Sequence, residues 1–218
     1  MTRPMQIDFV SDISCPWCII GLQGLEAALA RAGDVVDATI TFQPFELNPD
    51  MAPEGEDGPA HVAKKYGLSA EQAAANREAI RARAAGVGFD MAALDRRRLY
   101  NTFDAHRLLH WAEAEGRQRA LKHALFAVHF TEGRDVSNHD VLVAAAETAG
   151  LDGDAAREVL ASGRYGTEVR QAEQLWQARG IQSVPAVIID GRYLISGGQP
   201  PEAFEQALRQ IAAEAPMG

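Results

Sequence analysis

Apolar and polar positions alternate at the beginning of the chain. In MQIDFV, residues 5–10, the first, third and fifth side chains are apolar, and this repeat of two is typical of a β-strand. The segment DATITFQPF, residues 37–45, alternates in the same way. Between these segments, leucines recur at helical spacing over residues 22–29, and Gly33 ends the run. The amino-terminal part therefore predicts a βαβ unit.

The middle of the chain is predicted to be helical. Residues 46–60, ELNPDMAPEGEDGPA, are rich in proline, glycine and acidic residues, which is typical of an exposed loop. Ser69 and Gln72 form a capping-box pattern at the start of a helix that runs to Gly86. The further helices are predicted over residues 95–116, over residues 117–131, from a cap at Ser137 to Gly150, around residues 155–160, and from a cap at Thr167 to Gly180.

Strand patterns return near the carboxyl terminus. VPAVIID, residues 184–190, is a nearly continuous apolar run, as expected of a strand that is buried on both faces. Asp190-Gly191 is a two-residue hairpin signal that leads into RYLIS, residues 192–196. A last helix is predicted to turn three apolar side chains inward: Phe204, Leu208 and Ile211.

The order of these elements predicts an α/β fold that is interrupted by an all-helical insertion domain. The first and last parts of the chain are each too small to bury a sheet alone, so we expect them to combine. Residues 1–59 and 166–218 then form one discontinuous domain, and residues 60–165 form the helical insertion.

Composition narrows the function classes. The chain has 218 residues, and 47% of them are hydrophobic, which is enough to fill a large core. Its 30 Asp and Glu residues outnumber its 21 Lys and Arg residues, and the formal net charge of -9 repels phosphate backbones and anionic lipid surfaces. We therefore expect neither nucleic acid nor a membrane as a partner. Because the amino terminus lacks the features of a secretory signal, a cytoplasmic location is expected.

Both cysteines of the chain lie in ISCPWCIIG, residues 13–21. Pro16 suits the first turn of the following helix, so Cys15 falls at the amino-terminal end of that helix. Unpaired amide groups and the helix dipole stabilise an anion there, and we expect the pKa of Cys15 to lie below the reference of about 8.5. Cys18 is one turn further along, within reach of Cys15 but shielded by Trp17 and the helix. This arrangement predicts that Cys15 attacks a disulfide and that Cys18 resolves the mixed disulfide.

A zinc site, a structural crosslink and two inert buried thiols are the alternatives for this pair. Zinc needs about four ligands, but the chain has no second cysteine pair, and its 6 histidines are scattered through the predicted helical part. A cytosolic setting keeps most thiols reduced, which disfavours a crosslink. Two inert thiols would leave the proline in the turn before the helix unexplained. Redox chemistry is therefore favoured, and no metal is expected.

The order strand, CPWC and helix, followed late in the chain by SVPAVIID and a hairpin, resembles the thioredoxin fold. The helical insertion between the two halves is similar to that of the DsbA-like branch. PFELNP, NTFDAHRLLHWA and VPAVIIDGRYLISGGQPPE are similar to the FrnE-like group of DsbA-family oxidoreductases, and the resemblance extends over nearly the whole chain. It implies a thioredoxin-like fold.

The resemblance also implies roles for individual residues. Cys15 and Cys18 match the redox pair, and Pro16 and Trp17 match the dipeptide that tunes it. Pro185 matches the cis-proline that faces the active site. The backbone of Val184, the residue before it, is implied to bind an extended substrate segment.

Three further side chains are weaker candidates. Trp17 is expected to contact substrate, with simple packing as the alternative. His106 is a candidate for tuning a thiol or lining the substrate-binding cleft, although a hydrogen-bonded core histidine is the more common case. Asp12 either lies near the cysteine pair, where its charge opposes thiolate formation, or is a solvated loop carboxylate.

These residues predict a thiol-disulfide oxidoreductase that reduces, forms or isomerises disulfides through a mixed disulfide, with proteins or small molecules as substrates. Trp17 carries no charge that would stabilise a thiolate strongly, and the cytosol keeps dithiols reduced, so reduction or isomerisation is favoured over net oxidation. No bound cofactor is expected besides the redox-active disulfide. Glutathione is a candidate reductant, and a thioredoxin or glutathione system is the expected recycling partner.

Two other functions stay open at this level. A glutathione-dependent isomerase or transferase of the kappa-like group shares the insertion, but such enzymes resemble a serine-based site rather than a cysteine pair. A non-catalytic chaperone or peptide-binding protein would use the groove between sheet and helices. Its activity would survive the loss of both thiols.

Overall fold

A four-stranded mixed sheet lies at the centre of the computed structural model, which describes residues 2–214. The strands are β1 (Arg3–Ser11), β2 (Val36–Pro44), β3 (Glu56–Asp57), β4 (Arg98–Leu99), β5 (Ala186–Ile189) and β6 (Tyr193–Ser196). The central sheet has the order β2-β1-β5-β6, in which β1 is parallel to β2 and antiparallel to β5. The βαβ unit and the carboxyl-terminal hairpin therefore share one sheet, while β3 and β4 pair separately.

Helices make up most of the rest of the described chain. They are α1 (Pro16–Arg31), α2 (Gly58–Tyr66), α3 (Ala70–Gly86), α4 (Phe103–Ala114), α5 (Gln118–Phe126), α6 (His139–Thr148), α7 (Gly153–Ser162), α8 (Gly166–Ala178) and α9 (Pro201–Ala213). A π-helix, Ala127–Glu132, continues α5. Within residues 2–214, none of these helices is long and apolar enough to cross a bilayer.

The central strand β1 is buried on both faces. Ile7 and Phe9 belong to the core that the sheet forms with α1 and α9, whereas Val10 packs on the other face in a cluster with Trp176 of α8. The ring of Phe9 meets that of Phe42 on β2 edge to face, with centroids 5.8 Å apart.

The predicted insertion contains a hydrophobic cluster of its own. Helices α4 to α7 contribute Leu108, Leu121, Leu142 and Val159 to it, among others. Ile13, from the loop between β1 and α1, belongs to the same cluster, so the loop that carries the cysteines touches the helices directly. Phe126 and Phe130 pack instead in the sheet core. The domain boundaries after residues 59 and 165 stay a prediction.

The helix predicted over residues 95–116 is wrong in its first part. Helix α4 begins only at Phe103, and Arg98 and Leu99 form the short strand β4. The guanidinium of Arg98 donates to the carbonyl oxygens of Glu54 (2.9 Å) and Gly55 (2.8 Å). These bonds to a loop far away in the sequence, together with the pairing to β3, override the helix-forming composition of the segment.

One predicted helix is divided in two, and the starts of two others are corrected. The helix predicted over residues 117–131 consists of α5 and the π-helix. Asn138 caps α6 instead of Ser137, because the amide and hydroxyl of Ser137 are bonded to the carboxylate two residues before it. Helix α8 starts before Thr167, since Tyr165 turns the chain with a φ of 64° and Gly166 is already helical.

Several local signals are confirmed. The capping box of Ser69 and Gln72 is present. Asp190 and Gly191 have φ values of 52° and 66°, as a two-residue hairpin turn requires. The three apolar side chains predicted to face inward from α9 are buried. The α/β fold with its βαβ unit and late hairpin is therefore as expected from the sequence.

Candidate active site

The cysteine pair lies at the amino-terminal end of α1. Cys15 is the residue just before the helix and has an extended backbone, while Pro16 occupies the first turn. Both thiols are free. Cys15 is 4% exposed, whereas Cys18, one turn further along, is completely buried. The two sulfurs therefore differ in access, and Cys15 is the one nearer to solvent.

The loop before β5 lies against the pair. The Cys15 thiol donates to the carbonyl oxygen of Val184 at an Sγ–O distance of 3.6 Å, and the Val184–Pro185 peptide bond is cis. A Cβ on Gly21 of α1 would lie 3.1 Å from Cγ of Pro185, so the helix approaches this proline more closely than side chains usually allow. The structure thus brings together Cys15, Cys18, Val184 and Pro185.

Trp17 is held beside the pair by packing and is half-buried. A Cβ on Gly198 would lie 2.8 Å from the Trp17 carbonyl oxygen and 3.3 Å from Cε3 of its ring. Pro16 is half-buried as well. Both residues keep some exposed surface next to Cys15, and their predicted contact with substrate stays a prediction.

The surroundings of Cys18 favour its protonated form. Burial raises the pKa of Cys18 well above its usual value, and the neighbouring Cys15 acts in the same direction. The amide of Asp12 and the charge of Lys122 act in the opposite direction. Cys18 therefore needs to lose a proton before it can attack another sulfur.

Asp12 lies in the loop between β1 and the cysteines and is 1% exposed, so its interpretation as a solvated carboxylate is wrong. It accepts hydrogen bonds from the amide and hydroxyl of Ser14 (3.1 and 2.9 Å) and from the amide of Leu47 (2.6 Å). Burial acts to raise the pKa of Asp12, but His106 and these amides lower it to about 2. The carboxylate is therefore ionised and ties the loop before Cys15 to the loop after β2.

His106 of α4 lies behind Asp12 and not on the surface. Its Nε2 donates to the carbonyl oxygen of Phe45 (3.1 Å) and is 3.8 Å from Oδ1 of Asp12. The side chain is 3% exposed, which leaves too little surface for the substrate contact considered from the sequence. Burial and the bond to Phe45 instead hold His106 in the core beside Asp12.

Sequence reasoning missed Lys122 of α5, which is completely buried near the pair. Its Nζ is 5.1 Å from the ring centre of Phe126 and 5.9 Å from that of Phe42. Burial lowers the pKa of Lys122 to about 8, although the negative charges of Cys18 and Asp12 act to raise it. A signal existed in the sequence, because Lys122 stands three and four residues before the apolar Leu125 and Phe126 on the same helix.

Arg97 is a second buried cation that sequence reasoning missed. It is 5% exposed, donates to the carbonyl oxygen of Leu94 (3.0 Å) and lies 5.1 Å from the ring centre of Phe130. Burial lowers the pKa of Arg97 to about 10, while the charge of Cys15 acts to raise it. Arg97 lies in a run of three arginines at the start of the helix predicted over residues 95–116, and this pattern gave no sign that one of the three is buried.

His129, on the π-helix, is completely buried and uncharged. Burial and then the charge of Arg97 lower the pKa of His129 to about 3. Among the described residues, neither ring nitrogen has a hydrogen-bond partner. Over the same residues, no three His, Cys, Asp or Glu side chains are grouped so that they could hold a metal ion.

Comparisons with known proteins agree with this arrangement. Residues 6–209 match the family described as DSBA-like thioredoxin domain. The crystal structure of a probable DsbA oxidoreductase, SCO1869 from Streptomyces coelicolor, has 37% sequence identity and a TM-score of 0.91, with 98% of this chain and 93% of that chain covered.

Two more distant proteins extend the comparison. The uncharacterized protein YwbO of Bacillus subtilis (strain 168) is 26% identical over 205 residues, which are 94% of this chain and 96% of that protein. The cytosolic disulfide reductase DsbM from Pseudomonas aeruginosa, solved with GSH, has 20% identity and a TM-score of 0.66, covering 94% of this chain and 98% of that one. At this identity, DsbM shows a likeness of fold alone.

The family match extends from β1 into α9 and so includes the central sheet, the cysteine pair and the helices between the two halves of the sheet. Cys15 lies at the start of a helix and the Val184–Pro185 bond is cis, as the resemblance to the thioredoxin fold implied. On these grounds the chain belongs to the DSBA-like thioredoxin domain family.

Proposed function

We propose that the protein is a thiol-disulfide oxidoreductase in which Cys15 attacks a substrate disulfide and Cys18 resolves the mixed disulfide. The observation that carries this proposal is the asymmetry of the pair. Cys15 lies at the start of α1 and is nearer to solvent, whereas Cys18 is completely buried. Family membership and the 37% identity to a probable DsbA oxidoreductase support the same chemistry.

The exchange proceeds in two steps. In the first, the Cys15 thiolate bonds to one substrate sulfur, and the S–S bond of the substrate breaks to release a thiolate. Cys15 immediately precedes α1, and the start of a helix is where unpaired amide groups stabilise an anion. In the second step, Cys18 loses its proton and bonds to Cys15, which releases the other half of the substrate. Two electrons pass to the substrate, and the reverse steps form disulfides.

An extended substrate segment is proposed to bind along the backbone at Val184. Its carbonyl oxygen is 3.6 Å from Cys15 Sγ, so a disulfide that reaches this sulfur also reaches the backbone of Val184. Pro185 follows Val184, and Pro16 and Trp17 follow Cys15 directly in the chain. We propose that these three residues shape the surface on which a protein or small-molecule disulfide docks.

The direction of the exchange depends on how strongly the thiolate is stabilised. The uncharged Trp17 favours a reducing or isomerising role. The buried side chains of Arg97 and Lys122, however, bring two cations near the pair and favour the opposite direction. Cations stabilise the reduced form and so raise the reduction potential. Equilibration of the protein with mixtures of reduced and oxidised glutathione measures this potential and decides between reduction and net oxidation.

Insulin reduction with glutathione as the reductant tests the proposal. We expect Cys15→Ser to abolish the activity, because no sulfur remains for the first attack. In Cys18→Ser the mixed disulfide should accumulate on Cys15, where mass spectrometry detects it. Circular dichroism checks that both variants are folded. Full activity of Cys15→Ser would overturn the assignment of the attacking sulfur.

The same variants separate the two alternative functions. A glutathione-dependent isomerase or transferase of the kappa-like group would conjugate glutathione after both cysteines are replaced. A chaperone or peptide-binding protein would still suppress aggregation in that double variant. We expect the double variant to lose disulfide exchange completely, which neither alternative predicts.

Glutathione is proposed as a reductant of the pair, and the cytoplasm as the location. The support for both is the DsbM structure, which is described as that of a cytosolic disulfide reductase with GSH. Membership of the FrnE-like group also stays part of the proposal.

A further inference from the structure

Strand β6 forms one edge of the central sheet. In the order β2-β1-β5-β6 it pairs with β5 alone, so within residues 2–214 its outer side is bonded to no further strand. The edge of a sheet presents unpaired N–H and C=O groups on which another chain can pair, and natural proteins usually cover or interrupt such an edge. An edge that is left open is therefore a candidate docking surface.

The opposite edge, β2, is obstructed. The side chain of Gln118 accepts a hydrogen bond from the Phe42 amide (2.9 Å) and donates to the Phe42 carbonyl oxygen (3.0 Å). This side-chain amide takes the place of a neighbouring strand, and α5 begins at the same point. A second strand cannot run along the whole of β2, so β6 is the edge at which the sheet can be extended.

The backbone groups of β6 alternate in direction. The amide of Gly197 donates to the carbonyl oxygen of Pro185 (2.8 Å), and β6 pairs with β5 residue by residue from there. In an antiparallel pair, every second residue directs both its N–H and its C=O toward the neighbouring strand. Counted from Gly197, Leu194 and Ser196 direct theirs away from the sheet. The carbonyl of Arg192 points outward too, because it is opposite to the next amide in the same trans peptide.

Two backbone groups at this edge are already bonded. The amide of Arg192 donates to the carbonyl oxygen of Ile189 (3.0 Å), and the carbonyl oxygen of Ser196 accepts from the side chain of Gln199 (2.8 Å). The others are the amides of Leu194 and Ser196 and the carbonyl oxygens of Arg192 and Leu194. Among residues 2–214, none of these has a hydrogen-bond partner.

The open groups are complementary to those of a second copy of the same strand. When Leu194 of two copies lie opposite each other in antiparallel strands, each Leu194 amide meets the other Leu194 carbonyl oxygen. Two residues along, the Ser196 amide of one copy meets the Arg192 carbonyl oxygen of the other. Each of these bonds occurs twice because a pair of identical strands has two-fold symmetry.

The same pairing leaves the existing bonds intact. The Arg192 amide of one copy lies opposite the Ser196 carbonyl oxygen of the other, and these are the two groups that already have partners. A strand of another protein would place its own open groups opposite them, and those groups would lose water without gaining a bond. The pattern of bonded and open groups therefore favours a second copy over an unrelated strand.

The side chains of β6 suit this arrangement. Leu194 is 55% exposed, although it is a large apolar residue, and the pairing covers it with Leu194 of the second copy. On the other face, the half-buried Tyr193 and Ile195 of the two copies lie opposite each other. Arg192 falls opposite Ser196, so no two like charges meet across the strands. Apolar contact thus accompanies the hydrogen bonds on both faces.

We propose that two copies of this chain associate through β6 and join their sheets into one continuous sheet. The inference does not depend on the proposed thiol-disulfide exchange. Few residues of each copy take part, so the contact is smaller than that of a permanent dimer. We expect a reversible dimer with a Kd on the order of 100 μM.

Analytical ultracentrifugation over protein concentrations from about 5 μM to about 1 mM measures this association. A reductant in the buffer excludes dimers that are linked through the cysteines. Leu194→Lys places two like charges opposite each other and removes the apolar contact, so Kd should rise at least about tenfold. Leu175→Lys, the same substitution at an exposed leucine of α8, is the matched control and should keep the wild-type Kd.

Hydrogen exchange followed by NMR tests the register. In the monomer the amides of Leu194 and Ser196 are open, so they should exchange at least about tenfold more slowly at concentrations above Kd than below it. The amides of Tyr193 and Ile195 point toward β5, and their exchange should depend little on concentration.

The outcomes separate this interface from others. A wild type that stays monomeric at about 1 mM overturns the proposal, since the expected Kd lies well below that concentration. A dimer that Leu194→Lys does not weaken, or that Leu175→Lys weakens equally, also overturns it, because the interface then lies elsewhere. Circular dichroism checks that both variants are folded. Should Leu194→Lys fail to fold, exchange in the wild type decides, and a Leu194 amide that is not slowed in the dimer refutes the pairing.

Discussion

Asp12 allows a direct test of how the loop before the cysteine pair is held. The carboxylate is buried and accepts hydrogen bonds from Ser14 and Leu47, and its pKa is about 2 against an ordinary value of 3.8. One pKa unit corresponds to about 1.4 kcal/mol. Ionisation of Asp12 therefore adds about 2 kcal/mol to the free energy of unfolding at neutral pH.

The sign of the effect follows from the lowered pKa. The folded protein binds this proton less readily than the unfolded chain, so the stabilisation is present above pH 3.8 and is lost as pH falls through about 2. We expect Asp12→Asn to be less stable than the wild type by about 2 kcal/mol at neutral pH. At pH 3 the difference should shrink to about 1 kcal/mol, because part of the wild-type stabilisation is then lost.

Urea unfolding at several pH values between about 3 and 7 measures both quantities. Asp37→Asn, at an exposed position of β2, is the matched control and should change neither the stability nor its pH dependence. If Asp12→Asn and the wild type differ by a constant amount over the whole range, the negative charge of Asp12 does not stabilise the fold, and the reasoning is refuted.

Two further predictions concern a buried acid and a close helix contact. Burial and the charge of Glu173 raise the pKa of Glu46 from 4.5 to about 7, so stability should fall as pH rises through 7. In Glu46→Gln, Tm should therefore decrease less between acidic and alkaline pH than it does in the wild type. An equal decrease of Tm in both proteins would contradict this prediction. A Cβ on Gly24 would lie 2.7 Å from the carbonyl oxygen of Gln199, so Gly24→Ala should cost about 1–3 kcal/mol in urea unfolding. Gly86→Ala is the control, because a Cβ there would meet no atom within 4 Å, and it should not lower the free energy of unfolding. Equal losses of stability in the two variants would argue against the close contact at Gly24.

The predictions that agreed with the structure depend on short-range patterns. The alternation in β1 and β2, the Asp190-Gly191 turn and the proline after Cys15 each specify a local conformation that a few adjacent residues determine. Because the sheet is assembled from such segments, the α/β fold followed from the sequence. The position of the cysteines at a helix start followed for the same reason.

The errors concern residues whose conformation depends on partners far along the chain. The segment around Arg98 is a strand and not a helix because its side chain binds the loop at Glu54 and Gly55. Asp12 is buried because Leu47 and His106 cover it. No pattern near these residues contains that information, since the partners are tens of residues away.

The buried charges also change what can be concluded from the CPWC motif. Asp12 places a negative charge in the loop before Cys15, whereas Arg97 and Lys122 bring positive charges from the predicted insertion. In a medium of low dielectric constant, such charges act more strongly than the uncharged Trp17. The potential of the pair therefore depends on how the helices pack against α1, and a change in this packing would alter the redox chemistry without any change in the motif itself.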